Sequence, residues 1–297
     1  MNQIQVKTIL NKKKYADSWF LDRFTLNPYS SCSFNCLYCY IRGSKYGTNM
    51  ERKLAVKTNA PELLEKQLKR LAQKNDYGFI VLASATDPYL SVEKEEKMTR
   101  RLIELILKYR FPLHIITKSD LVLRDLDLLE ELRKEAIIPP DLSNRLKEGV
   151  VITFSFSTID EKIARIFEPG APKPQARLDA LKHIRSHGFH SGISMMPMIP
   201  YISDRGEHLE EMFQAFKEND AQYVMPADIS LFDNGVSSNK TLMFRAVKKH
   251  YPELLPKYEK LFATQNHLPD YYRKAFYEKM SELSQKYQIP NRIIAVE

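Results

Sequence analysis

Apolar residues fall along this chain in two rhythms. Short unbroken runs occur at 78–83 (GFIVLA), 111–117 (FPLHIIT), 150–156 (VVITFSF), 190–196 and 222–229, with a further short one at 24–26. Runs of this length suit strands covered on both faces. Between them, 93–109, 124–134, 174–187 and 209–218 carry apolar positions at helical spacing; Leu126, Leu128, Leu129 and Leu132 share one side of the second. Gly188 stands where a helix commonly ends in left-handed backbone. Beyond about residue 239 the pattern is helical at 240–249, 254–262 and 270–286, and rich in Lys, Glu and Tyr.

Strands separated by helices of this length imply parallel β/α units. The expectation is an α/β fold: a partial (β/α)6 TIM-type barrel over residues 1–235, with a C-terminal helical extension over 236–297. A chain of 297 residues is long enough to bury such a core. No apolar run reaches the roughly 18 residues of a membrane span. The polar, basic N-terminus has no apolar signal-peptide core. A cytoplasmic location and no membrane partner are therefore expected.

The formal net charge is +8. Lys12, Lys13 and Lys14 form one basic run, and Arg42, Lys45, Arg52, Lys53 and Lys57 form a looser one. A solvated basic surface is one reading. Attraction of nucleic acid is the other, with Tyr15, Trp19, Tyr29 and Tyr46 offering faces on which bases stack.

The three cysteines, Cys32, Cys36 and Cys39, lie in the segment 27–40, NPYSSCSFNCLYCY, spaced C-x3-C-x2-C. An odd, tight cluster is not a disulfide framework. Soft thiolates select zinc or iron–sulfur. Structural zinc normally takes four protein ligands, yet there is no fourth cysteine, and all seven histidines lie at or beyond His114. Three thiolates on a four-iron cluster leave one iron open to a substrate or cosubstrate.

With Tyr38 before the last cysteine, this spacing resembles that of the radical S-adenosylmethionine superfamily. Residues 84–89 with Glu93 (SATDPY…E), 117–125 (TKSDLVLRD) and 168–177 (EPGAPKPQAR) with Leu178 resemble its spore photoproduct lyase-like, DNA repair photolyase-like branch, over about 25–204. The resemblance implies that Cys32, Cys36 and Cys39 hold a [4Fe–4S] cluster whose open iron is chelated by S-adenosylmethionine. An electron from a donor such as flavodoxin or ferredoxin then breaks the sulfonium C–S bond. The 5′-deoxyadenosyl radical removes a hydrogen atom from a substrate, for which nucleic acid is a candidate.

Sites of β/α barrels lie at the C-terminal ends of the strands. Ser84, Thr86 and Asp87 follow the run 78–83; Asp87 suits the methionine ammonium, and Asp87-Pro88 is also turn chemistry. Lys118, beside Ser119, suits the methionine carboxylate or is a surface lysine. Asp120 and Asp125 read as caps of the next helix. Ser155 and Ser157 suit the ribose, with helix capping by Ser157 or Thr158 the alternative. Arg177 reaches the carboxylate or Glu168. Met196 suits a wall for adenine, and core is an equal account of Met195 and Met196.

Tyr38 is expected near adenine, its backbone facing the base edge. Tyr38 and Tyr40 flank the last cysteine and are candidate catalytic relays. In that branch a separate cysteine before the Asp87-like position takes part in hydrogen return. Here that stretch is Ala83, Ser84, Ala85, Thr86, and a serine O–H bond is too strong to substitute. The sequence thus argues against spore photoproduct repair. A non-catalytic metal-bound nucleic-acid-binding module is the main alternative. A redox thiol protein is weaker, because no C-x-x-C stands alone at a helix start.

Overall fold

The computed structural model describes residues 1–43, 50, 53–232 and 235–294. Lys45, Tyr46 and Arg52 lie outside them. The strands are β1 (Asn2–Ile4), β2 (Leu10–Lys12), β3 (Phe24–Leu26), β4 (Tyr29–Ser30), β5 (Ala55–Lys57), β6 (Ile80–Leu82), β7 (Leu113–Thr117), β8 (Val150–Ser155), β9 (His190–Met195) and β10 (Val224–Pro226). The helices are α1 (Ala60–Ala72), α2 (Glu93–Glu96), α3 (Met98–Lys108), α4 (Leu126–Glu135), α5 (Glu161–Phe167), α6 (Pro174–Ser186), α7 (Gly206–Glu218), α8 (Asn239–His250), α9 (Leu255–Leu261) and α10 (Asp270–Tyr287).

The main sheet runs in the order β10-β9-β8-β7-β6-β3-β2. Neighbours from β3 through β6, β7, β8 and β9 to β10 pair in parallel, and β2 closes the far edge antiparallel. These are the six strands of the expected partial barrel. Every residue of β8 is buried, which accounts for its unbroken apolar run. A second, three-stranded sheet, β1-β5-β4, flanks the cysteine segment. The sequence reading did not place it, nor α1 and α5.

Several boundaries move for identifiable reasons. The expected helix at 93–109 is broken at Lys97, whose φ is +49°. Glu93 turns inward there and accepts from Thr99 N at 3.0 Å and Arg124 Nη2 at 2.7 Å. The expected helix at 124–134 opens as a 3-10 turn, Asp120–Asp125, before α4. That turn is capped by Ser119, which accepts from Leu121 N at 3.2 Å. Asp120 makes no such cap, and Asp125 pairs with Arg100 and Arg124. The strand expected at 222–229 is confined to Val224–Pro226. Gly188 does follow α6 with φ +82°.

The C-terminal helices pack against elements of the barrel and the cysteine segment. α10 packs on α7 and β10, and α8 packs on the turn Tyr40–Gly43 after the cysteines. No helix among the described residues is long and apolar enough to cross a membrane.

Candidate functional site

The cysteine loop leaves β4 and is locked by backbone contacts. Ser31 and Asn35 take left-handed backbone at φ +68° and +53°. Gly170 N donates to Phe34 O at 3.0 Å, and Leu37 N donates to Phe167 O at 2.9 Å. A Cβ on Gly170 would stand 2.3 Å from Ser33 O, so glycine permits this approach. Arg42 Nε donates to Cys36 O at 2.8 Å, closing the loop from its far side.

All three thiols line one cavity of about 660 Å³, with Tyr38, Tyr40, Ser84, Thr86, Asp87, Lys118, Ser155 and Met196. Ser119 and Ser157 do not line it. Ser119 caps its turn, and Ser157 donates to Glu168 Oε1 at 2.8 Å. Neither Ser157 nor Thr158 caps α5: Asp160 does, accepting from Lys162 N at 2.6 Å and Ile163 N at 3.0 Å.

Asp87 is buried and accepts from Thr117 Oγ1 and Lys118 N, each at 2.8 Å, and from Tyr89 N at 2.9 Å. Burial raises its carboxyl, and those donors oppose the rise. Glu168 is the hub of the site. It accepts from Tyr38 Oη and Ser157, pairs with Arg177 Nη2 at 2.5 Å, and lies 3.8 Å from Lys118 Nζ. Burial alone would raise its carboxyl, but Arg177 and Lys118 hold it at about 2. The structural pairing of Arg177 with Glu168 is thus the observed one.

Tyr38 is buried and its carbonyl accepts from Asn239 Nδ2 at 3.3 Å. Tyr40 is 59% exposed at the cavity, its hydroxyl tied to Ser84 O. Asn27 shapes the loop after β6, accepting from Ala85 N at 3.0 Å. Sequence reading missed Asn27, Asn239 and Ser194, a further cavity hydroxyl. Asn27 opens the cysteine segment, which was signal enough; Asn239, from α8, gave none.

Burial raises all three thiols, Cys36 to about 12. Lys118 opposes the rise at Cys36, and Cys32 and Cys36 feel the charge of Cys39. No group of three or more His, Cys, Asp or Glu among the described residues is set to hold a single metal ion. Three soft donors around one cavity, with a lysine and a carboxylate beside them, fit a thiolate-bound iron–sulfur cluster.

Three similarities bear on this arrangement. An uncharacterised protein of Mycobacterium tuberculosis is 28% identical over 294 residues, 97% of this chain and 81% of that protein. A radical SAM Nalpha-GlyT isomerase of Pseudomonas phage M6 is 22% identical over 246 residues, 82% of this chain and 46% of that protein. A mutant spore photoproduct lyase solved with AdoMet and dinucleoside spore photoproduct superposes with TM-score 0.62 at 16% identity, over 93% of this chain and 76% of that one. The last likeness is one of fold. The family model described as the Radical SAM superfamily matches residues 26–216. This chain therefore belongs to the radical SAM superfamily, whose enzymes use a [4Fe–4S] cluster and S-adenosylmethionine.

Proposed function

We propose that the chain cleaves S-adenosylmethionine reductively and abstracts a hydrogen atom from a second molecule held in the same cavity. One observation carries this reading: the thiols of Cys32, Cys36 and Cys39 share a cavity with the strand-end groups Asp87, Lys118 and Ser155. When bound by those thiols, the cluster supplies the electron that breaks the sulfonium C–S bond to give a 5′-deoxyadenosyl radical.

The chain's own residues then orient the cosubstrate. Lys118 receives the methionine carboxylate. A carboxylate accepts about four hydrogen bonds, and Asp87 has three donors, so one position is left for the methionine ammonium. Ser155, Ser84 and Thr86 offer hydroxyls to the ribose, and Met196 an apolar wall. Tyr40, exposed at the cavity, is better placed than Tyr38 to relay a hydrogen atom. The electron comes from a flavodoxin- or ferredoxin-type donor.

Nucleic acid as the second molecule rests on the basic surface. Lys12 and Lys13 are held in ion pairs with Asp76 and Asp22, which weakens both that substrate and a purely nucleic-acid-binding role. The test is anaerobic reconstitution, reduction with dithionite and measurement of 5′-deoxyadenosine. Formation of 5′-deoxyadenosine is expected; its absence from protein with an intact cluster refutes the reading.

A further inference from the structure

The cavity reaches well below the cysteines. Residues 13–22 meet it through Lys13, Asp17, Phe20 and Asp22. Phe20 O bonds His114 Nδ1 at 2.8 Å. His114 is the second residue of β7, about 13 Å down the barrel from Lys118 at the rise of a strand.

Asp22 is 3% exposed. Its Oδ2 lies 2.5 Å from Lys13 Nζ, while its buried Oδ1 has no hydrogen-bond partner. An unpaired buried carboxylate oxygen is costly and calls for a donor. The Lys13 side chain is 44% exposed, so it reaches the carboxylate from solvent on a flexible stem. Asp17 and Asp228 line the same cavity. Asp228 is paired with Arg273 at 3.0 Å and Asp22 with Lys13, which leaves Asp17 and Asp87 against Lys118, in a chain of net charge +8.

Resting on the radical-enzyme reading above, we propose that Asp22 determines the substrate by receiving an alkylammonium group, for which the Lys13 ammonium stands in. The site selects a cationic amine and repels phosphate.

The test titrates the full chain with n-butylammonium, with n-butyrate and inorganic phosphate as controls. Trp19, the single tryptophan, is the fluorescent reporter; its backbone N–H donates to Asp17 Oδ1 at 2.6 Å. A saturable change with n-butylammonium alone is expected. Asp22→Asn should weaken binding about tenfold or more, the loss of a charge-assisted hydrogen bond. Lys13→Met should tighten it, because the internal competitor is gone.

No saturable response in the wild-type chain overturns the proposal. So does unchanged binding in Asp22→Asn, weaker binding in a Lys13→Met chain whose circular dichroism and melting are unaltered, or tighter binding of phosphate than of the amine. The radical reading is scored separately, by 5′-deoxyadenosine from the wild-type enzyme. Amine binding without that product upholds the Asp22 site and removes the radical chemistry; the product without amine binding does the reverse.

Discussion

Replacing Arg177 by Met tests whether the Glu168 hub holds the site together. Both side chains are fully buried, and Arg177 also donates to Ser155 O at 3.0 Å and Pro172 O at 2.7 Å. Removing one partner of a buried ion pair strands the other charge, typically at about 3–5 kcal/mol. Against a total stability of about 5–15 kcal/mol that is a large fraction. Lys118, at 3.8 Å, is too far to replace the lost hydrogen bonds. Adding Glu168→Gln removes the stranded charge and keeps an acceptor for Tyr38 and Ser157. The double variant should therefore recover much of the loss. Urea unfolding of the metal-free chain, followed by circular dichroism, measures both. A single-variant loss under about 1 kcal/mol, or a double variant no more stable than the single, refutes the reasoning.

Three further outcomes are expected. Gly170→Ala forces its Cβ against Ser33 O, so the cysteine loop should shift and bind less iron on reconstitution, while far-UV circular dichroism is unchanged. Asn239→Ala removes the partner of Tyr38 O, Ser230 O and Phe232 N, and should cost about 1–3 kcal/mol in thermal or urea unfolding. His114 is buried and its folded pKa is lowered by desolvation from 6.5 to about 4. The unfolded chain therefore takes up its proton first. The stability present above pH about 6.5 falls by about 3 kcal/mol as pH drops towards 4, and His114→Gln should flatten that slope.

The barrel was legible because parallel strands covered on both faces leave continuous apolar runs. Val150–Ser155 falls wholly within the run 150–156 for that reason. The small sheet was not, because strands of two and three residues such as Tyr29–Ser30 carry no measurable period. Helix α1 did carry one: Ala60, Leu64 and Leu68 are its buried positions, each four apart. The break at Lys97 was hidden because it depends on Glu93 finding Arg124 across 31 residues. The cysteine loop was legible by spacing alone. The Asn239 clamp and the Lys13–Asp22 pair were not, since each joins segments that meet only after folding.

Strand-end position is a good guide to the cavity, and among the strand-end residues the hydrogen-bonding capacity already in use differs. Ser119 and Ser157 sit at the ends of β7 and β8, yet each is occupied by an internal partner, Leu121 N and Glu168. Arg177 is likewise engaged by Glu168 and two carbonyls. Asp87 keeps about one acceptor position after three donors. Lys118 faces the cavity on a side chain 11% exposed, its Nζ 3.8 Å from Glu168, so its donors are the least committed of the group. If unused capacity governs recognition, Lys118→Met should weaken S-adenosylmethionine binding to the reconstituted protein more than Ser119→Ala or Ser157→Ala does. Equal losses in equilibrium dialysis would show that these residues act through the loop they brace instead of through the cosubstrate.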